Sequence, residues 1–190
     1  EMVATNTLPL NEIMPNKEQP RKTFDEGALQ ELADSIVQHG VLQPLLVRPL
    51  ASGGYQLVAG ERRWRASRMA GLKEVPVVVK ELSDVETMEI AIIENLQRED
   101  LNPIEEAEGL QALIDRCGFT QEEVATSVGK SRPAIANALR LLKLPPEVRE
   151  MTKAGEISAG HARALLAFDS EAAIYEVAQN IVKNNLTVRD

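Results

Sequence analysis

Leu57-Val58-Ala59-Gly60-Glu61-Arg62-Arg63-Trp64-Arg65-Ala66-Ser67-Arg68-Met69-Ala70-Gly71 is the stretch on which the reading of this chain turns. Apolar residues run into Gly60 as a strand, and a helix begins at Glu61 and continues to Ala70, with Gly71 as its C-cap. A helix start collects free N–H groups and the positive end of the helix dipole, which suits an anion. Arg62 and Arg63 add guanidinium donors there, each able to grip an oxyanion through two parallel bonds. The chain contains neither GxxxxGK[ST] nor GxGxxG, so a P-loop and a Rossmann fingerprint are both excluded. An exposed amphipathic helix with Trp64 turned inward gives the same spacing, and spacing alone leaves the two readings level.

Around this stretch the pattern is mixed. Leu8, Leu10 and Ile13 alternate as a strand before the breakers Pro15-Asn16 and Gln19-Pro20. Leu29, Leu32, Ala33, Ile36 and Val37 fall on one helical face, stopped by Gly40. Leu45-Leu46-Val47 and Tyr55-Gln56-Leu57-Val58 read as strands joined through Ser52-Gly53-Gly54, and Val75–Val79 as a strand whose proline, Pro76, predicts an edge or a strand start. Beyond residue 84 the periodicity is helical throughout. Strands mixed with helices, then helices alone, predict an α+β domain over 1–103 followed by an all-α domain over 104–190, parted near Leu101-Asn102-Pro103.

A second charged stretch, Glu94-Asn95-Leu96-Gln97-Arg98-Glu99-Asp100, ends a helix whose apolar residues are Ile90, Ala91, Ile93 and Leu96. Glu94 beside Asn95 offers a carboxylate and a carboxamide oxygen, a pair suited to a hard cation such as Mg²⁺, and Arg98 can reach the same phosphates. A helix end with polar residues facing water is the plain alternative.

Thr120-Gln121-Glu122-Glu123 is a capping box, and Val124, Ala125 and Val128 form the buried stripe of a short helix. Gly129 permits a left-handed turn, Ser131 caps a second helix, and Pro133 is tolerated in its first turn. With Ile135, Leu139 and Leu142 facing inward, Arg132, Ala136, Asn137 and Arg140 face outward, as a recognition helix faces a major groove. Arg132 is the candidate base reader, while Lys130, Arg140 and Lys143 suit phosphates.

The net charge of −8 argues at first against nucleic acid. Its distribution argues otherwise: no acidic residue lies between Val124 and Pro146, nor between Arg62 and Lys73. Aromatic content of 3% leaves little for base stacking, and 44% hydrophobic residues supply an aliphatic core. The single cysteine, Cys117, cannot form an intramolecular disulfide and reads as a packing residue of a reducing compartment. No apolar run reaches the ~18 residues a membrane span needs. Both ends, Glu1-Met2 and Leu186–Asp190, read as cut within a longer chain.

Taken in order, GERRWRA (Gly60–Ala66), ENLQREDLNPIEEA (Glu94–Ala107) and GKSRPAIANALRLLKLP (Gly129–Pro145) resemble the ParB family of chromosome- and plasmid-partition proteins. The resemblance runs from near Leu8, through QPRK (Gln19–Lys22), past GHARALL (Gly160–Leu166). It implies a sulfiredoxin-like N-terminal domain that binds and hydrolyses CTP, followed by a helix-turn-helix domain that binds a short palindromic site, parS. It further implies a bacterial, cytoplasmic, nucleoid-associated homodimer that closes as a clamp with CTP and slides on DNA. Carried onto this chain, Gly60, Arg62 and Arg63 hold phosphates, Glu61 assists hydrolysis with Gln19, and Glu94 and Asn95 hold Mg²⁺. Gln19, Arg21, Gly40, Val41 and Gln43 line the same pocket, with Arg98 on the phosphates. Lys130, Ser131, Arg132, Asn137, Arg140, Lys143, Gly160 and His161 fall to the DNA side, His161 either packing or touching a phosphate. ParA-type ATPase stimulation and SMC-type condensin loading are implied for the full-length protein, whose N-terminal basic stretch and C-terminal dimerisation domain find no counterpart here.

Arg132 and Gly160 resemble the partition branch, whereas a nucleoid-occlusion branch tends to carry glutamine and arginine there. Two rivals remain at this point. A metabolic enzyme on the same N-terminal fold has no reason for a DNA helix, and sulfiredoxin chemistry needs a cysteine where this chain has Glu61. A transcriptional repressor with a degenerate nucleotide domain fits better, but it would stay on its operator rather than slide.

Overall fold

The computed structural model describes residues 5–17 and 24–190. Gln19 and Arg21, together with the rest of the QPRK stretch, lie outside the described residues. The chain divides into two compact units, Glu1–Glu94 and Asn95–Asp190.

The first unit is a mixed sheet with helices. In order along the chain its elements are β1 (Thr5–Pro9), β2 (Ile13–Met14), α1 (Glu26–His39), β3 (Leu45–Pro49), β4 (Tyr55–Ala59), α2 (Glu61–Met69), β5 (Glu74–Val79) and α3 (Asp84–Leu96), the last running two residues into the second unit. The strands lie in the order β1-β5-β3-β4-β2. β1 pairs antiparallel with β5, β5 parallel with β3, β3 antiparallel with β4, and β4 parallel with β2. Leu45, Val47, Leu57, Val75 and Val77 alternate inward as period-two strands should, and Leu10, Ile13 and Trp64 complete the core. Behind it α1 packs on α2 through Ala33, Ile36 and Ala66, the two alanines being small enough to let the helices approach.

Three expectations change here. The Leu8–Ile13 alternation is broken by a 3-10 turn over Leu10–Glu12, so one strand becomes β1 and the short β2. β5 is interior rather than an edge: its Pro76 pairs with Thr7 on the β1 side, and the β3 pairing begins one residue later, at Val77, so the missing N–H breaks no ladder there. Val37 is 66% exposed, because it follows Ile36 by a full 100° of helix and leaves the buried stripe of Leu29, Ala33 and Ile36.

One side chain ties the sheet to the start of α3. Arg48 Nε donates to Gln56 Oε1 at 2.7 Å, Nη1 to the Leu82 carbonyl at 3.1 Å, and Nη2 pairs with Asp84 at 2.9 Å. Arg48→Ala is expected to cost about 1–3 kcal/mol in urea unfolding, since it strips three partners from a mostly buried guanidinium; a loss below 0.5 kcal/mol would show that the clasp is ornamental.

The second unit is helical: α4 (Pro103–Cys117), α5 (Gln121–Val128), α6 (Arg132–Arg140), α7 (Pro146–Lys153), α8 (Ala159–Leu165) and α9 (Glu171–Asn184). Ile104, Leu141, Leu144, Val148, Ile157, Ala162, Leu165, Ile174, Ala178 and Ile181 form its main core. Leu96, the last residue of α3, lies so close to Gly109 of α4 that a Cβ there would meet its Cδ2 at 2.7 Å. Among the described residues no helix is long and apolar enough to cross a membrane.

Candidate functional site

In the first unit the strand β4 delivers the chain into Gly60, which adopts φ 102° and ψ 30° and serves as the N-cap of α2 without a capping side chain. Among the described residues no side chain caps the first-turn N–H groups, the condition an anion exploits. A Cβ at Gly60 would lie 2.8 Å from Leu45 Cδ2 and 3.2 Å from Arg63 Nη2, so the backbone here is bare because its neighbours leave no room.

Arg63 is half-buried, and its Nη1 donates to the carbonyls of Gln43 at 2.9 Å and Pro44 at 2.7 Å. That bond pair brings the Gly40–Pro44 loop against the start of α2. Gly40 ends α1 at φ 73°, Val41 packs toward the core, and Gln43 is exposed. Burial pulls the Arg63 pKa below the ordinary guanidinium value, and the nearby Glu94 carboxylate partly offsets this. Arg62 is exposed beside it.

Glu61 is 6% exposed. Its Oε1 accepts from Arg65 Nε at 3.1 Å, while Oε2 is buried with no hydrogen-bond partner among the described residues. A buried carboxylate oxygen without a donor is costly and asks for a ligand or water. Arg65 also stacks on Phe24, its guanidinium carbon 4.1 Å from the ring centre.

A triphosphate fits these residues by one observation, the side-chain-free cradle at Gly60; the orphaned Glu61 oxygen, an acceptor, calls for a donor such as a water beside it. Among the described residues no group of three or more His, Cys, Asp or Glu side chains could hold a metal by itself. Mg²⁺ is usually bound through one or two protein oxygens with phosphate and water supplying the rest, and an exposed Glu94 beside Asn95 meets that lesser demand.

In the second unit Asn95 Oδ1 accepts from Arg98 Nη1 at 3.1 Å, and Arg98 Nη2 pairs with Asp100 at 2.8 Å. Helices α5 and α6 form the expected helix-turn-helix in local detail. Thr120 and Glu123 make a reciprocal capping box, Gly129 turns at φ 71°, and Ser131 accepts from the Ala134 N–H. Val124, Ala125 and Ile135 are buried, whereas Val128, Leu139 and Leu142 are half-buried. Arg132, Asn137, Arg140 and Lys143 are exposed; Ala136, expected outside with them, is half-buried.

Two of the DNA-side candidates are already engaged. Lys130 pairs with Glu106 of α4. His161 is the N3 residue of a capping box: Nδ1 accepts from the Ser158 N–H at 3.1 Å, and Nε2 lies 2.9 Å from the Leu186 carbonyl. Gly160 faces Val188, whose Cγ2 would lie 3.0 Å from a Cβ. Glu106, which holds Lys130, carries no signal in sequence, because it is one of several acids in Glu105–Glu108 and its partner lies 24 residues away.

The comparisons agree with this division. The ParB N-terminal domain model matches residues 1–96 and the ParB HTH domain model residues 99–190. The chain is 60% identical to chromosome-partitioning protein Spo0J of Thermus thermophilus, over 96% of this chain and 66% of that protein. It is 52% identical to chromosome-partitioning protein ParB of Myxococcus xanthus, over 96% of this chain and 62% of that protein. The chain thus spans less than two thirds of these relatives' length. Among solved structures, C-terminally truncated ParB of Caulobacter crescentus complexed to the centromeric parS site superposes with a TM-score of 0.82 at 46% identity, over 97% of this chain and 95% of that one. Matched along both of its units, the chain belongs to the ParB family, with a mixed α/β N-terminal domain followed by an all-helical helix-turn-helix domain.

Proposed function

We propose that this chain is the nucleotide- and DNA-binding portion of a chromosome-partition protein that reads a parS-type palindrome and couples that reading to CTP. The single observation that carries the DNA half is the exposed, acid-free face of α6, on a chain whose relative of known structure is complexed to parS. For the nucleotide half it is the cradle at Gly60. Residues 1–103 serve the nucleotide and 104–190 the DNA.

Arg132, at the start of α6, reads a base edge, and Arg140 and Lys143 hold phosphates. Ser131 and Asn137 flank that contact, Lys130 is a further phosphate contact, and Gly160 and His161, in the first turn of α8, belong to the DNA side. Arg62 and Arg63 grip the triphosphate, the first-turn N–H groups of α2 receive it, and the Gly40–Gln43 loop borders it, with Gln19 and Arg21 in the same role. Glu94 and Asn95 hold Mg²⁺, which when bound neutralises phosphate charge. Glu61 accepts a hydrogen bond from the attacking water and orients it, assisted by Gln19, so that CTP is hydrolysed to CDP and phosphate. A homodimer closes as a clamp and slides from parS; ParA-type and SMC-type partners belong to the full-length protein, in the bacterial nucleoid.

The test is CTP hydrolysis in Mg²⁺ with parS duplex, scrambled duplex or no DNA, with ATP as control. Turnover of CTP raised by parS alone is expected. Equal rates with both duplexes, or equal use of ATP, would defeat the coupled reading. On the DNA side, Arg132→Ala is expected to cost about 1–3 kcal/mol on parS and to relax specificity, whereas Lys143→Ala weakens all duplexes alike. Equal losses on parS and random duplex for Arg132→Ala would remove its base-reading role.

A further inference from the structure

Within the first unit a chain of two contacts runs outward from the Glu61 carboxylate. Its Oε1 accepts from Arg65 Nε at 3.1 Å, one helical turn further along α2. Glu61 is buried, but the Arg65 side chain is 43% exposed, too open for an ion pair by itself to hold one geometry. A second contact supplies the restraint. The guanidinium carbon of Arg65 lies 4.1 Å from the centre of the Phe24 ring, the separation of a cation stacked on an aromatic face. Phe24 stands directly before Asp25, whose Oδ1 accepts from the Gly27 and Ala28 N–H groups and so fixes where α1 begins. Since α1 is packed on α2 through Ala33, Ile36 and Ala66, the ring is delivered to the arginine by the core of the unit.

We propose that Phe24 and Arg65 are positioning residues for Glu61: the stacked guanidinium anchors Oε1 and leaves Oε2 as the oxygen that receives the water. The proposal rests on the reading of Glu61 given above and adds two residues that act on the chemistry through it. The last torsion of a glutamate is broad, so a carboxylate with neither oxygen anchored samples many orientations. Anchoring one oxygen removes that freedom, and holding a reacting group in a single geometry is worth rate rather than affinity. The choice of arginine follows from the same geometry. Its flat guanidinium can lie on a ring with its face while its edge donates from Nε, whereas a lysine ammonium has neither a face nor a fork.

The experiment is steady-state CTP hydrolysis and equilibrium CTP binding in Mg²⁺ with parS duplex, on variants whose folding is checked by Trp64 fluorescence in urea. Arg65→Lys and Phe24→Leu should each lower kcat about five- to thirtyfold, with KM and affinity within about threefold of the parent chain. Phe24→Tyr keeps the aromatic face and should hold kcat within about twofold of the parent. In a Glu61→Gln background, Arg65→Lys should cause no further loss of turnover, because both changes act on one group. Parental kcat in Arg65→Lys and Phe24→Leu, while Glu61→Gln is impaired, would overturn the proposal alone. So would a loss carried by KM, which makes Arg65 a binding group, or a loss that adds in full to that of Glu61→Gln. Phe24→Tyr as impaired as Phe24→Leu would remove the stacking from it. A parent chain that leaves CTP intact, or a Glu61→Gln chain with parental turnover, would instead bring down the reading of Glu61, and this proposal with it.

Discussion

Glu61→Gln is expected to lower CTP turnover by about 10²–10³-fold while leaving CTP affinity within about threefold. The amide keeps the shape of the carboxylate in a position that is 6% exposed, and its oxygen can still accept from Arg65 Nε. What it loses is the second acceptor. Oε2, buried and unpartnered among the described residues, becomes an NH₂ that donates and can no longer orient water through a proton it accepts. Phosphate release and equilibrium binding, measured on one preparation, separate the effects. Turnover equal to that of the parent chain would show that Glu61 is not at the chemistry. Affinity and turnover falling together would make it a binding residue.

Gly60→Ala should cost about 2–4 kcal/mol of stability in the first unit and abolish triphosphate binding. Two causes add. The left-handed φ of 102° strains any L side chain, and the new Cβ would meet Leu45 Cδ2 at 2.8 Å in a fully buried layer. Gly71→Ala isolates the first cause: its φ is 76°, yet no atom lies within 4 Å of its Cβ position, so only about 1–2 kcal/mol should be lost. The one tryptophan, Trp64, sits in the first unit's core and makes its fluorescence a reporter of that unit in urea. Because the helical unit has its own core, duplex binding by Gly60→Ala should stay within about twofold of the parent chain. Equal losses for the two glycine variants would show that Leu45 gives way and that the crowding at Gly60 is unimportant.

What the sequence discloses here is mostly local. The Thr120–Glu123 box, the Gly129 turn and the Ser131 cap depend on residues within four positions of each other, and all are present as read. The transition from β4 through Gly60 to α2 is of the same kind. Partners distant in the chain are another matter. That β5 lies between β1 and β3 depends on which strands meet, which Val75–Val79 by itself does not encode. That Lys130 pairs with Glu106, on a different helix, is not written in either stretch alone. His161 reads as either packing or touching a phosphate, and only the chain near residues 186–188, distant in sequence, brings it and Gly160 their packing neighbours. The Arg63 bonds to the Gln43 and Pro44 carbonyls are invisible for the same reason, because a backbone acceptor has no letter in the sequence.

The Arg48 clasp has a kinetic corollary. Its bond to Gln56 spans 8 residues and can form with the β3–β4 pairing, but its bond to the Leu82 carbonyl spans 34 and must await the arrival of β5 and the loop beyond it. Contacts that depend on a late docking step contribute little to the transition state, so their loss is felt on the way out rather than on the way in. Removal of Arg48 should therefore steepen the escape from the native state while refolding proceeds at nearly its usual pace, making this arginine a brake on unfolding more than a guide to folding.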